Sequence, residues 1–306
     1  MKEINKMHLK SVTFALIAVL IWVGNTIVSK LAAYEISPGT IAFERWLIAF
    51  VILSPFVARK VWRHRGDIWT HLPKLIVLGM LGMAACQGVG YYAAQFTSAT
   101  NIGLILALVP LLSLILSAIL LNEMPSKMAL VGSVIALVGI SMILGRGAPT
   151  QLLTQGVNRG DVMMLVAVTA YAGYGILLRR WKISLPTWVS LYIQIGVAVI
   201  ILYPFFLTSS PMVANASNVS LVLYAAIPGS IIAPFVWMAA VEQLGPSRAA
   251  IFMNLIPIIT AVIAAIFLHE ILRSYHIIGG LVSILGVILV QWSPISSVRK
   301  VCSKTD

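Results

Sequence analysis

Charge is what this chain has least of. Only 10% of its 306 residues are charged, nine of them acidic against 21 basic. Sixty per cent are hydrophobic and the mean hydropathy is +0.99, which no soluble globular domain of this size would tolerate on its surface. The chain therefore reads as an integral membrane protein. Cysteine is scarce as well: Cys86 lies in an apolar run and Cys302 in the tail, so neither a disulfide framework nor a metal site is implied. No G-x-x-x-x-G-K-[ST] stretch is present to cradle phosphates, so an ATP-driven pump would need another subunit. His269-Glu270 fails as a zinc motif, because Arg273 stands where H-E-x-x-H requires histidine. His8, His64, His71 and His276 fall in tails, loops or helix ends, which leaves no intramembrane proton relay built on histidine. No cofactor is called for. The formal charge of +12 points to loops on one side of a membrane rather than to nucleic acid.

What is abundant is long apolar sequence. A helix needs roughly 20 residues to cross about 30 Å of hydrocarbon. Ten segments qualify, near 11–31, 38–58, 73–96, 100–121, 127–145, 160–179, 186–207, 218–241, 248–268 and 275–292. The first has no small-residue cleavage pattern after it and reads as a retained span. No linker is long enough to hold a soluble domain, so catalysis outside the bilayer has nowhere to live and no enzyme is expected. Lys2, Lys6 and Lys10, then Arg59, Lys60, Arg63, Arg65 and Lys74, then Arg179, Arg180 and Lys182, and finally Arg299, Lys300 and Lys304 fall on one side of this zigzag. The intervening loops hold only Lys30, Arg146, Arg159 and Arg273, which puts both termini in the cytoplasm.

One stretch occurs twice. Asn101 to Glu123, shifted by 147 positions, lands on Arg248 to Glu270 with Leu108/Leu255, Pro110/Pro257, Ala118/Ala265, Leu121/Leu268 and Glu123/Glu270 in register. Gly82/Gly229, Gly132/Gly279 and Gly139/Gly286 keep the same shift, and Trp22-Val-Gly24 faces Tyr171-Ala-Gly173 after a two-residue slip. Each half, residues 1–147 and 148–306, holds five predicted helices. An odd number sends the second copy into the membrane from the opposite side. The expected fold is thus all-α, ten transmembrane helices in two inverted repeats, the plan on which many secondary transporters build alternating access.

Pro110 and Pro257 sit near the centres of helices four and nine. Each lacks an N–H and frees a backbone carbonyl at membrane depth, so each is either a static packing kink or a hinge beside a cavity. Trp22, Asn25 and Ser29 share one helical face, as do Gln87, Tyr91 and Gln95, and Tyr171 and Tyr174. Singly, Asn25, Gln87 and Asn254 would serve as interhelical hydrogen bonds. Together with Trp237 and Tyr192 they outline a midplane cavity with aromatic walls and a few polar handles, suited to a small amphipathic solute. Glu44 and Arg45 are the only charges well inside a predicted span; Arg45 either snorkels outward or faces the pathway to hold a carboxylate. Lys30 is expected at the interface. With Glu44 the only deep carboxylate, proton coupling is expected to be weak or absent. Gly132, Ala136 and Gly139, repeated as Gly279, Ser283 and Gly286, form a small-residue stripe whose expected use is packing within each half, a dimer face being the alternative. Both monomer and homodimer stay open.

These residues resemble the EamA branch of the drug/metabolite transporter superfamily. The resemblance runs along most of the chain: Trp22-Val-Gly24-Asn25 with Lys30, Arg45 within Ile41 to Ala49, the run Tyr92 to Asn101, then Pro110 and Leu121-Asn-Glu123. It implies ten-helix carriers of the bacterial inner membrane that mostly export amino acids, other metabolites or toxic compounds, often without a dedicated coupling ion. Glu44 beside the arginine departs from that pattern. The expected function is a secondary exporter or facilitator of a small amphipathic metabolite, amino acids first, with the lipid bilayer and the solute as its partners. Trp22, Tyr91, Tyr171, Tyr174 and Trp237 would stack on the apolar part of the solute, and Asn25, Arg45, Gln87 and Asn254 would bind its polar end. The alternatives are a multidrug efflux carrier and a non-transporting membrane enzyme or accessory subunit.

Overall fold

A computed structural model describes residues 2–122, 125–148, 150, 157–210, 215–244 and 252–292. The described residues are helical and contain no strand. That follows from the composition, because in hydrocarbon a backbone must satisfy its own N–H and C=O groups and a helix does so within one segment. The helices are α1 (Lys2–Glu35), α2 (Pro38–Arg63), α3 (Arg65–Ala94), α4 (Ala99–Leu121), α5 (Lys127–Leu144), α6 (Arg159–Trp181), α7 (Thr187–Leu207), α8 (Val219–Leu244), α9 (Leu255–Phe267) and α10 (Ser274–Trp292).

Short polar residues begin several of them. Ser98 accepts from Asn101 N at 3.0 Å, Ser126 from Ala129 N at 3.1 Å and Asn158 from Gly160 N at 2.7 Å, each satisfying a first-turn N–H that has no partner inside the helix. Asn122 and Lys182 close α4 and α6 in left-handed conformations, with φ of 53° and 41°.

Among the described residues eight helices are long and apolar enough to cross a membrane, and Leu255–Phe267 and Ser274–Val290 are shorter apolar helices. Of the ten spans expected, the described residues give eight of full length and two shorter apolar helices at the ninth and tenth places. The ninth, expected over 248–268, is interrupted at Asn254, and its first residues lie outside the described ones. Glu123 lies outside them too.

The interruptions recur at the shift seen in the sequence. Helix α4 breaks at Ala107-Leu108, where Ala107 has φ −64° and ψ −14°. Shifted by 147 positions, Ala107 falls on Asn254, which precedes α9 with φ −67° and ψ −13°. Both breaks lie three residues before a proline, Pro110 or Pro257, whose missing N–H leaves the carbonyl four residues earlier without its helical partner. A π-helical turn at Gly79–Ala85 interrupts α3 and another at Pro228–Ile232 interrupts α8. Under the same shift Ala85 falls on Ile232. Each turn carries a glycine against a side chain from a neighbouring helix. A Cβ on Gly82 would lie 2.7 Å from the Tyr174 ring, and one on Gly229 would lie 3.0 Å from Asn25 Oδ1.

Packing obeys the same exchange. Helix α1 packs on α8 and α6 on α3; α4 packs on α6 and α9 on α1; α2 pairs with α7, α4 with α9 and α5 with α10. Each of these contacts maps onto another, or onto itself, when the first five helices are swapped with the last five. The small-residue stripe accordingly serves neither of its expected roles. It joins α5 to α10 across the two sets, where a Cβ on Gly132 would meet Gly286 O at 2.6 Å and one on Gly279 would meet Gly139 O at 2.8 Å. Only glycine allows backbones that close.

Candidate functional site

Arg45 anchors the centre. Its side chain is 2% exposed, so it does not snorkel to an interface. Nε and Nη2 donate to Ser230 Oγ at 3.0 and 2.7 Å, and Nη1 donates to Gln87 Oε1 and Tyr91 OH at 2.9 Å each. The guanidinium also lies over the rings of Trp46 and Tyr91, 4.9 and 5.6 Å from their centroids. Ser230, in the π-helical stretch of α8, in turn donates to Ala225 O at 2.8 Å in the turn before it. A single cation thus ties α2 to α3 and α8 through neutral oxygens. In a low-dielectric interior such a charge is costly to hold and attracts an anion strongly.

The remaining expected residues fall around it. Asn25 faces Gly229, the residue before Ser230, and its Oδ1 is buried with no hydrogen-bond partner. Trp22 and Trp237 meet across α1 and α8 with ring centroids 5.3 Å apart and planes at 59°. Tyr171 and Tyr174 stack on α6 at 5.8 Å, with Tyr174 against Gly82 of α3. Asn254 is buried at the break before α9, beside residues that pack on Val19 and Val23 of α1. Pro110 opens the second segment of α4 and Pro257 lies in the first turn of α9. The structure therefore brings Arg45, Gln87 and Tyr91 into one hydrogen-bonded group and arranges Asn25, Trp22 and Trp237 on the α8 side and Tyr174 on the α3 side. Tyr192 is elsewhere: it stacks on Phe50 at 4.4 Å and shares a 2.8 Å hydrogen bond with Ser54, within the α2–α7 contact.

A cavity of about 640 Å³ opens at the end of the bundle where α1 and α3 finish and α4, α6 and α10 begin. None of the nine expected binding residues lines it. Its polar groups form a second network. Lys30 Nζ donates to Ala94 O at 2.9 Å and Thr97 O at 2.7 Å, meeting the carbonyl end of α3. Asp161, 3% exposed in the first turn of α6, accepts from the Thr97 hydroxyl and from Asn101 Nδ2 at 3.1 Å. Glu270 accepts from Ala99 N at 2.7 Å, Thr100 N at 3.0 Å and the Thr100 hydroxyl at 2.7 Å, capping α4 from the far side of α9. Asp161 and Glu270 come from the second half of the chain and their donors from the first, so these bonds hold the two halves together at this end.

Sequence reasoning missed Ser230 and Asp161. Ser230 sits in an apolar run beside a repeated glycine, which was its only signal. Asp161 stands at the second position of a predicted span, where a carboxylate is ordinary at a helix start. It is a second carboxylate withdrawn from water, held at the end of the bundle and not deep within a span.

A bundle of long apolar helices with a buried cation, aromatic pairs and a polar cavity defines a multi-pass membrane protein of the solute-carrying class. The chain belongs to the EamA-like transporter family, which it matches over residues 9–145 and 158–292. Members of that family are transporters, not enzymes, so the reading as a membrane enzyme falls. A transporter of Archaeoglobus fulgidus is 27% identical over 92% of this chain and 98% of its own length. A protein of Streptantibioticus cattleyicolor named "Probable terminal-alkyne amino-acid exporter" is 24% identical over 72% of this chain and 73% of its own. A crystal structure with 17% identity superposes with a TM-score of 0.60 over 91% of this chain and 95% of the other, a likeness of fold.

Proposed function

We propose that this transporter carries small amphipathic metabolites, amino acids first among them, by alternating access between two inverted five-helix repeats, residues 1–147 and 148–306. Both termini then lie in the cytoplasm of a bacterial inner membrane, and Asp161, Glu270 and Lys30 lie at the outer face. The observation that carries the reading is the Arg45 group. A buried guanidinium whose hydrogen bonds among the described residues go to neutral oxygens offers a site for a carboxylate, and the unpartnered Asn25 Oδ1 beside Gly229 offers an acceptor for an ammonium group. The Trp22/Trp237 and Tyr171/Tyr174 pairs flank these two handles and would stack on the rest of the solute.

The exchange of helix contacts supports the inverted arrangement, and the breaks before Pro110 and Pro257 supply two equivalent points at which α4 and α9 can bend. In this scheme the Asp161 and Glu270 bonds close the outer end, and they part as the helix sets rock. The amino-acid class also draws on the name of the Streptantibioticus relative. The test is counterflow of radiolabelled solute into liposomes holding the purified protein and unlabelled solute. Trapped amino acid should accelerate uptake of label at least several-fold. Exchange of no solute across a panel of amino acids and other metabolites would overturn the proposal.

A further inference from the structure

At the other end of the molecule the last turns of α2 carry a hollow of about 380 Å³ lined by Pro55, Phe56, Arg59, Lys60 and Arg63. Helical spacing sorts these into two adjacent rows, Pro55-Arg59-Arg63 and Phe56-Lys60, each four residues apart and each running from apolar to cationic. Like charges one turn apart repel, and among the described residues none of the three cations makes an ion pair or a side-chain hydrogen bond. They do not donate to the last carbonyls of α2, the usual use of basic residues at a helix end. The positive-inside rule accounts for cations on this side but not for their gathering around one unneutralised hollow. Phe56, 74% exposed, continues the hollow toward the hydrocarbon, and Trp62 and Trp69 stand exposed nearby in sequence as interfacial aromatics do. Arg65 differs from the three, since its guanidinium rests 4.9 Å over the Trp62 ring.

We propose that this hollow is a binding site for the phosphodiester headgroup of an anionic phospholipid. Arg59, Lys60 and Arg63 take the phosphate, and Pro55 and Phe56 take the start of the acyl chains. The order of the rows matches a lipid, whose charge sits above its hydrocarbon. The C-terminal tail is a poor occupant by charge, since Arg299, Lys300 and Lys304 make it basic. The inference stands apart from the identity of the carried solute.

Native mass spectrometry of the full chain in detergent tests it, with phosphatidylglycerol, phosphatidylcholine and inorganic phosphate as probes. Phosphatidylglycerol should be retained in preference to phosphatidylcholine, and excess inorganic phosphate should not displace it. The Arg59→Gln/Lys60→Gln/Arg63→Gln variant should retain roughly a hundredfold less, the combined attraction of three such cations for an anionic surface. Lys127→Gln, which removes an exposed cation elsewhere, should retain as much as the wild type. The single variants Arg59→Gln and Arg63→Gln should show intermediate loss, which keeps the test decisive if the triple variant does not fold. Equal retention of both lipids, displacement by phosphate, or wild-type retention in the Gln variants would overturn the proposal.

Discussion

Arg45 does two things that pull against each other. It links three helices through Ser230, Gln87 and Tyr91, and it places a full charge where none of those partners neutralises it. Hydrogen bonds to a charged group are each worth about 1.5–3 kcal/mol, while the effective penalty of burying an ion is several kcal/mol, so the two contributions nearly cancel. Arg45→Met should therefore unfold within about 2 kcal/mol of the wild type in a detergent melt, yet lose solute exchange. A large loss of stability would mean that Arg45 is chiefly a structural tie. Its depth was legible in the sequence because a charge inside an apolar run has few places to go. What it would touch was half legible: Gln87 and Tyr91 share a helical face, but Ser230 lies 185 positions away and only the folded chain brings it close. Asp161 was illegible for a different reason. A carboxylate in the first turn of a helix is ordinarily satisfied by the N–H groups there and by water. Here the end of α3 covers it, with Gly160 packed on the Ala93 carbonyl.

Among the elements, the prolines announced two breaks, and the breaks occur one turn ahead of each, as a missing N–H and a crowded carbonyl require. The π-helical turns of α3 and α8 had no comparable signal beyond the repeated Gly82 and Gly229. An extra residue in a turn leaves no mark on composition, although π-bulges gather at functional sites and one of these positions Ser230. The small-residue stripe declared close approach without naming the partner, because periodicity describes one surface and not the one that meets it. Its partner is now testable. A side chain at Gly132 would collide with the backbone of α10, so Gly132→Leu should lower the midpoint of thermal unfolding by several degrees and abolish monodispersity in detergent. Gly175→Ala, with nothing within 4 Å of its Cβ position, should leave both unchanged or slightly improved, as alanine favours helix. Equal tolerance at the two sites would count against the α5–α10 contact.

For the whole molecule, composition marked hydrocarbon as the solvent, and the constant shift of 147 positions relates the two proline breaks and the two π-helical turns, but which helices pair was legible only in the folded chain. The cavity where α4, α6 and α10 begin had no signal in the sequence. Its walls come from the ends of many helices at once, and helix ends are where sequence patterns are weakest. The central claim is that Arg45 and Asn25 receive the two charged ends of an amino acid. It is tested most directly by counterflow in liposomes with one amino acid and its carboxamide, which keeps the ammonium group and removes the carboxylate. The wild type should exchange the free acid at least tenfold faster than the amide, about one charge-assisted contact, and Arg45→Gln should exchange the two alike. Equal exchange of acid and amide by the wild type, or an undiminished preference in Arg45→Gln, would contradict it.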